Sequence, residues 1–232
     1  LFRSVDICMA SFYRMRSNRK QTGLFSEKEG LFSSKEFLSN VLSTWPLNWF
    51  SCVGTKLYRT DVIKANNIGF NDTDYRYNED LGFIVDYMRV CKRARVIKDE
   101  IYCYTYTPGS VQHKKKYKEN SVYTIRNSRL NFKRLLEEEG LYERMKASFL
   151  STQIDSFFGM FMVKWDSYRE FYDLFKTIES FPEIEQMQPQ MAYGVTQRIF
   201  IQNIIKNSPR LENIYFGLLT IMKSMKAMIT DR

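Results

Sequence analysis

The sequence predicts an α+β protein in which a small sheet with covering helices precedes an all-helical region. Short β-strand patterns occur at residues 5–13, 95–97 and 101–106; the first is an apolar run and the last alternates with a period of two. Helical periodicity separates these strands, and after Tyr117 it is the only periodic signal. The two predicted regions are residues 1–116 and residues 117–232.

Length and composition fit a protein with a substantial core. The 232 residues are 44% hydrophobic and 16% aromatic, which allows one large domain or two small ones. The chain starts Leu-Phe-Arg-Ser, without an initiator Met or a signal-peptide pattern, and we expect a fragment. No uninterrupted apolar run approaches the roughly 18 residues that suggest a membrane span, so no transmembrane helix is predicted.

The cysteine pattern argues against a structural zinc site, because no C-x-x-C pair is present and the chain has a single His. Each Cys lies in an apolar neighbourhood and is predicted to be a buried, reduced side chain. Reduced thiols are typical of a cytoplasmic protein. The four residues are Cys8, Cys52, Cys91 and Cys103.

The net charge of +9 favours phosphate groups, anionic lipid or nucleic acid as partners. A nucleic-acid-binding module would account for this charge and for the many Tyr and Phe residues. However, the sequence contains no RNP-like strand, zinc-finger pattern or recognition helix, so we predict no nucleic-acid partner. A Lys-rich surface without a specific partner is the remaining alternative.

The first region contains three predicted helices, and the first of them has a clear start signal. Ser33 or Ser34 is a suitable N-cap, Glu36 lies in the first turn, and Pro46 ends the helix. Its apolar face follows the spacing of an amphipathic helix. The residues on that face are Phe37, Leu38, Val41 and Leu42.

Two further helices follow in this region. One is capped by Thr60 or Asp61 and ends near Asn66-Asn67, whose amide side chains suit a turn with positive φ. The other runs from about Glu79 to Cys91. Its predicted buried stripe is Leu81, Ile84, Val85 and Met88.

Five helices are predicted in the second region. Gly140 stops the first of them, and Pro182 and Pro209 limit later ones. The last helix is apolar and flanked by Lys, which suits packing on neighbouring helices or, alternatively, peripheral contact with a membrane surface. The predicted spans are 121–139, 142–164, 167–180, 193–207 and 211–230.

The carboxyl pair Glu79-Asp80 is the main candidate for chemistry. It follows a polar, aromatic-rich segment and starts a predicted helix, where the positive end of the helix dipole favours an ionised carboxylate. A carboxylate held at the mouth of a cleft can act as a general base. An acidic first turn is also an ordinary helix start, and this is the alternative interpretation.

Three segments taken together resemble the second half of a family 2 glycosyltransferase with the GT-A fold. Residues 56–59 spell K-L-Y-R, residues 68–70 form an apolar-x-Phe segment before the Glu-Asp pair, and residues 102–113 contain Y-x-Y followed by P-G-S-x-x-H. The resemblance covers roughly residues 1–116, about half of the chain. It implies a partial GT-A-type mixed sheet with covering helices, in an inverting enzyme that transfers a sugar to an acceptor hydroxyl.

The resemblance also implies roles for individual residues. Asp80 is the base that removes the proton of the acceptor hydroxyl, and Glu79 fixes the loop or contacts the acceptor. The residues implied in donor or diphosphate binding are Lys56, His113 and Lys114, and His113 is also an implied ligand of a divalent metal, Mg or Mn. The implied acceptor-binding residues are Tyr77, Asn78 and Trp49.

Ordinary structural roles are the alternatives for these residues. Lys56 would otherwise form a surface salt bridge, and His113 with the following Lys run would be solvated surface. Trp49 belongs to an aromatic cluster whose commoner role is core packing.

The sequence also departs from the family pattern. No metal-binding D-x-D precedes the first of these segments; Asp72-Thr73-Asp74 has that spelling but does not follow a buried strand. Gly54 stands where many relatives have Trp, and Thr105 where they frequently have Arg. The resemblance therefore implies an acceptor and base half that lacks most of the donor site, and we expect the chain to be inactive alone.

The expected partners are a nucleotide-sugar donor and a sugar or lipid-linked acceptor, in polysaccharide or glycoconjugate synthesis in the cytoplasm or at the inner membrane face. A second class of function is a non-catalytic helical interaction or membrane-docking module. In that case residues 117–232 would carry the function and Asp80 would be dispensable.

Overall fold

The structure is a computed structural model that describes the chain in nine segments. Several predicted features lie outside these residues: Trp49, Tyr77, His113, Lys114 and the helix at 211–230. The described residues are 4–16, 19–22, 29–41, 50–70, 78–105, 121–161, 167–192, 194–206 and 217.

The described strands form one mixed sheet, as predicted. Strand β1 lies at its centre, parallel to β5 on one side and antiparallel to both β2 and β4 on the other. Strand β3 is antiparallel to β5 and gives the order β2-β1-β5-β3, with β4 beside the start of β1. The strands are β1 (Ile7–Arg16), β2 (Arg19–Thr22), β3 (Gly30–Ser33), β4 (Lys56–Tyr58) and β5 (Arg93–Thr105).

The prediction of two separate strands at 95–97 and 101–106 is wrong, because β5 is continuous through both. Its register with β1 shifts twice: Met9 lies opposite Val96, whereas Ser11 lies opposite Glu100. Strand β5 therefore carries extra residues at this point, and a bulge accommodates them without ending the strand. The charged residues that break the apolar pattern, Lys98 to Glu100, lie where the register shifts.

Local capping signals correctly predicted the start of the first helix around the sheet, but two related predictions are wrong. The helix Ser34–Asn40 ends before Pro46, and the helix Thr60–Ala65 has Arg59 at its N-cap, without a side-chain cap from Thr60 or Asp61. Ser33 forms a capping box with Glu36, since its hydroxyl accepts from the Glu36 N–H at 3.2 Å and the Glu36 carboxylate accepts from the Ser33 N–H at 2.8 Å. Asn67 has a φ of 50°, the positive value expected at the end of its helix. The helices are α1 (Ser34–Asn40), α2 (Thr60–Ala65) and α3 (Glu79–Val90).

Helix α3 is fixed to the sheet at both ends of its buried face. Tyr58 of β4 lies edge-on to Phe83 and Tyr87, with ring centroids 5.2 and 5.0 Å apart. The Tyr87 hydroxyl donates to the backbone oxygen of Asp6, just before β1. The predicted buried stripe of Leu81, Ile84, Val85 and Met88 is confirmed. Because this face is anchored, the first turn of α3 has a defined position beside β4.

Four more described helices follow, close to their predicted spans. Gly140 has a φ of 66° and ends α4, and Ser167 caps α6 by accepting from the Glu170 N–H at 3.2 Å. Two short 3₁₀ turns, Pro182–Gln186 and Pro189–Met191, precede α7. The helices are α4 (Ser121–Glu138), α5 (Tyr142–Phe161), α6 (Tyr168–Glu179) and α7 (Val195–Lys206).

The chain divides into two compact units. Among the described residues, the first unit contains the sheet, α1 to α3 and residues 123–146, and the second contains residues 121–122 and those from 147 onward. The predicted boundary between residues 116 and 117 falls outside the described residues and stays a prediction. No described helix is long and apolar enough to cross a membrane.

The four cysteines are free thiols, and two of them differ from the expected burial. Cys8 and Cys91 are buried, whereas Cys52 and Cys103 are only half-buried. Cys52 lies in the turn before β4, and Cys103 lies near the exposed end of β5, so neither is covered on both sides.

Candidate active site

Asp80 occupies the first turn of α3 and is half-buried there. Burial raises the pKa of its carboxyl above the usual range, while the Val53 N–H and the charge of Lys56 lower it in part. The position at the helix N-terminus adds a field that favours the ionised form. A carboxylate with a raised pKa is a better proton acceptor than a fully solvated one.

The turn before β4 supplies the hydrogen bond to this carboxylate. Val53–Thr55 forms a single 3₁₀ turn, and the Val53 N–H donates to Asp80 Oδ2 at 3.4 Å, which is long for a hydrogen bond. The turn leads directly into β4, where Lys56 lies opposite Met9 of β1. The sheet therefore fixes the donor that faces Asp80.

Lys56 is buried, with 5% of its surface exposed. Its ammonium donates to the Cys52 carbonyl at 2.7 Å and to Thr55 Oγ1 at 3.1 Å. Burial lowers the pKa of Lys56 to about 7, against the opposing effects of Cys52 and Asp80. The surface salt bridge considered for Lys56 is excluded by this burial, whereas its predicted contact with a donor stays a prediction.

Tyr102 of β5 covers the turn at Gly54. A Cβ added to Gly54 would lie 3.0 Å from the Tyr102 ring, closer than ordinary van der Waals contact. A bulky aromatic side chain at this position would collide with that ring. Burial raises the pKa of Tyr102, with smaller contributions from neighbours that include Asp80.

Sequence reasoning missed Tyr102 as a site residue, although a signal was present. The alternation of β5 offered Tyr102 and Tyr104 as candidates. Only the pairing of β5 with β1 decides between them.

Tyr58 places a second aromatic hydroxyl near Asp80. Its oxygen is buried and has no hydrogen-bond partner among the described residues. Burial raises the pKa of Tyr58, and the Asp80 carboxylate contributes to the same direction. Sequence reasoning did not assign Tyr58 a role at the site.

The two other described candidates directly precede Asp80 in the sequence, and the predicted role of Glu79 stays a prediction. Glu79 is exposed. The Asn78 amide donates to Ser128 Oγ at 2.8 Å, and that hydroxyl donates to the Ile125 carbonyl at 2.9 Å. This chain of bonds fastens the start of α3 to α4, so Asn78 has a structural partner, and its predicted acceptor contact stays a prediction.

The described residues assemble no group of three or more His, Cys, Asp or Glu side chains that would hold a metal ion. His113, the implied ligand, lies outside them, as do Lys114, Tyr77 and Trp49. Two surface depressions have other linings: one of about 210 Å³ runs along β1 and β4, and one of about 580 Å³ lies beside the turn after α2. Neither is lined by Asp80.

The fold is similar to that of solved structures of S. aureus TarS. A structure of TarS 1-349 in complex with UDP-GlcNAc matches with a TM-score of 0.59 and 16% sequence identity, over 95% of this chain and 60% of that chain. A second structure of TarS 1-349 matches with a TM-score of 0.55, also at 16% identity, over 95% of this chain and 58% of that chain. The chain therefore has a glycosyltransferase-like fold.

At 16% sequence identity, the similarity to these structures shows a shared fold only. This chain spans about three-fifths of the length of the TarS chains. No protein-family model matches the sequence, and no curated protein matches it by sequence.

Proposed function

We propose that this chain carries the acceptor and catalytic-base part of an inverting glycosyltransferase that uses a nucleotide sugar. The observation that carries the proposal is the half-buried Asp80 carboxylate at the start of α3, held opposite the Val53 N–H within a glycosyltransferase-like fold. UDP-GlcNAc bound to TarS supports a nucleotide sugar of this class as the donor.

In the proposed reaction, Asp80 removes the proton of an acceptor hydroxyl. The hydroxyl oxygen attacks the anomeric carbon of the donor, the bond from that carbon to the diphosphate breaks, and the configuration inverts in this single displacement. Burial of Asp80 supports the role, since it moves the pKa of the base toward the pH at which the enzyme works. The Val53 N–H orients the carboxylate.

A divalent metal would neutralise charge on the leaving diphosphate when bound. The described residues do not provide a ligand set for it, so we assign it no residue among them. The part of the mechanism assigned to this chain is the proton transfer and the orientation of the base.

The test compares Asp80→Asn with Asp86→Asn in the full-length protein. Both substitutions lie on α3, and Asp86 forms only a surface ion pair with Arg89, at 2.8 Å. With UDP-GlcNAc as the donor and a panel of oligosaccharide and lipid-linked acceptors, we expect Asp80→Asn to lower kcat about 10²- to 10⁴-fold. Asp86→Asn should stay near wild type.

Binding and folding separate a catalytic loss from a structural one. We expect Asp80→Asn to keep the wild-type Tm and the wild-type Kd for UDP-GlcNAc. If Asp80→Asn still transfers sugar at the wild-type rate, Asp80 is not the base and the proposed function is wrong in its central residue.

A further inference from the structure

One peptide group lies between the buried lysine and the candidate base. Lys56 Nζ donates to the Cys52 carbonyl at 2.7 Å, and the N–H of the next residue, Val53, donates to Asp80 Oδ2 at 3.4 Å. The carbonyl and the N–H belong to the same planar unit, whose two polar groups point in opposite directions in a trans peptide. Lys56 and Asp80 therefore contact opposite edges of the Cys52–Val53 peptide.

We propose that Lys56 is a positioning residue for Asp80 and acts on it through the Cys52–Val53 peptide group. The inference rests on the function proposed above, in which Asp80 is the base. A cation at the carbonyl oxygen polarises the peptide, and the polarised N–H becomes a stronger donor to the carboxylate. Lys56 thereby orients Asp80 without touching the acceptor.

The local structure holds this arrangement in place. The Cys52 carbonyl accepts a second hydrogen bond from Thr55 Oγ1 at 2.9 Å, and the same hydroxyl accepts from Lys56 at 3.1 Å. Two donors, the Lys56 ammonium and the Thr55 hydroxyl, thus meet at one carbonyl oxygen and are hydrogen-bonded to each other. Lys56 also starts β4, so its backbone is fixed by pairing with Met9 of β1.

The burial of Lys56 favours this role over direct contact with a donor diphosphate. Only 5% of its surface is exposed, and two of its hydrogen bonds go to the turn itself. Direct contact with a phosphate would require the buried side chain to become accessible. The peptide contact requires no such change.

The charged and titratable groups that face this pair come from three elements. Cys52 lies in the turn, Tyr58 on β4 and Tyr102 on β5, and each interacts electrostatically with Lys56 or Asp80. Burial raises the pKa of both tyrosines, so they stay neutral near pH 7. Lys56 is therefore the positive charge that the described residues place near Asp80.

The experiment measures the pKa of Asp80 directly, by ¹³C NMR titration of the aspartate carboxyl carbons in the full-length protein. The Asp80 resonance is identified by its loss in Asp80→Asn. Lys56→Met removes the ammonium and keeps a similar volume. We expect it to raise the pKa of Asp80 by about 1, because an opposite charge nearby stabilises the ionised carboxylate.

Val53→Pro removes the N–H and is the sharper variant. Val53 is the first residue of its 3₁₀ turn, where Pro is tolerated, and Cys52 has a ψ of 109°, which a residue before Pro can adopt. We expect Val53→Pro to raise the pKa of Asp80, whereas the matched control Val53→Ala, which keeps the N–H, leaves it unchanged. If Lys56→Met does not fold, the comparison of Val53→Pro with Val53→Ala still tests whether the peptide N–H acts on Asp80.

The double variant Val53→Pro/Lys56→Met decides whether the two groups act together. If Lys56 acts through the peptide, the shift in the double variant is smaller than the sum of the single shifts. The inference would be overturned by fully additive shifts, or by a pKa of Asp80 that is the same in Lys56→Met as in wild type.

Kinetics add a readout that separates this inference from the proposed function. With UDP-GlcNAc as the donor, we expect Lys56→Met to move the acidic limb of kcat/KM to higher pH and to leave the donor KM within about twofold of wild type. A large rise in donor KM with an unchanged Asp80 titration would assign Lys56 to the donor instead. If the titration shifts as expected but no variant or wild type transfers sugar, the positioning role stands and the proposed function fails.

Discussion

The two compact units of this chain use buried polar groups in different ways. In the second unit, two buried glutamines donate to carboxylates: Gln197 donates to Asp155 at 2.7 Å, and Gln153 donates to Glu183 at 3.4 Å. Each pair ties one helix to a later segment and carries no net positive charge. In the first unit, Lys56 and Thr55 converge on a single carbonyl beside a half-buried carboxylate.

This difference indicates that the first unit is the more suitable location for a functional site. A hydrogen bond between a buried amide and a carboxylate fixes local structure. A buried ammonium next to a carboxylate with a raised pKa is costly to fold and is typical of a functional site.

The largest expected effect on stability is in the core of the second unit. Phe161 is fully buried, and its ring centroid lies 5.1 Å from Phe171 and 4.8 Å from Phe200. Phe161→Ala should lower the free energy of unfolding by about 3–5 kcal/mol. Val195→Ala, at a position that is 71% exposed, is the control and should change little. Urea unfolding measures both, and equal small losses would show that the Phe cluster is not a core.

A smaller effect, confined to the first unit, depends on pH. The pKa of Lys56 is about 7 in the folded chain and about 10.4 in an unfolded one, so between these values the unfolded chain binds more protons. Stability should therefore rise with pH above 7, by up to about 1.4 kcal/mol per pH unit. The rise is best measured between pH 6.5 and 8, before the cysteines with raised pKa values contribute in the opposite direction.

Lys56→Met should abolish this rise, and substitution of the exposed Lys92 by Met should preserve it. Urea unfolding of the three proteins at several pH values provides the measurement. A wild-type stability that is flat or falling from pH 6.5 to 8 would contradict the burial of a charged Lys56.

The smallest effect concerns Tyr58. Its hydroxyl is buried without a partner among the described residues, so its removal takes away a desolvated polar group. Tyr58→Phe should leave the free energy of unfolding unchanged or raise it by up to about 1 kcal/mol. A loss of more than about 1 kcal/mol in thermal or urea unfolding would show that the hydroxyl has a partner.

The features predicted well from the sequence are those that neighbouring residues determine. The capping box of Ser33 and Glu36, the positive φ of Asn67 and the start of α3 at Glu79 each depend on side chains within one turn. The apolar stripe of α3 follows from helical spacing alone. These local signals are sufficient to predict that Asp80 lies at a helix N-terminus.

The features that were missed depend on contacts between distant segments. Strand β5 continues through a charged stretch because β1 pairs with both of its halves. Lys56 is buried because β4 pairs with β1, although its sequence neighbours gave no sign of it. The position of Tyr102 over Gly54 joins residues 48 positions apart. Local spacing contains none of this information.

The most direct test of Asp80 as the catalytic base compares two pKa values of the full-length protein. One is the pKa of the Asp80 carboxyl from NMR titration, and the other is the apparent pKa of the acidic limb of kcat/KM for sugar transfer. If Asp80 is the base, the two pKa values agree and lie above the usual range for aspartate, and activity falls as the pH drops through them. An acidic limb that does not follow the Asp80 titration, in wild type and in Val53→Pro alike, would contradict Asp80 as the base.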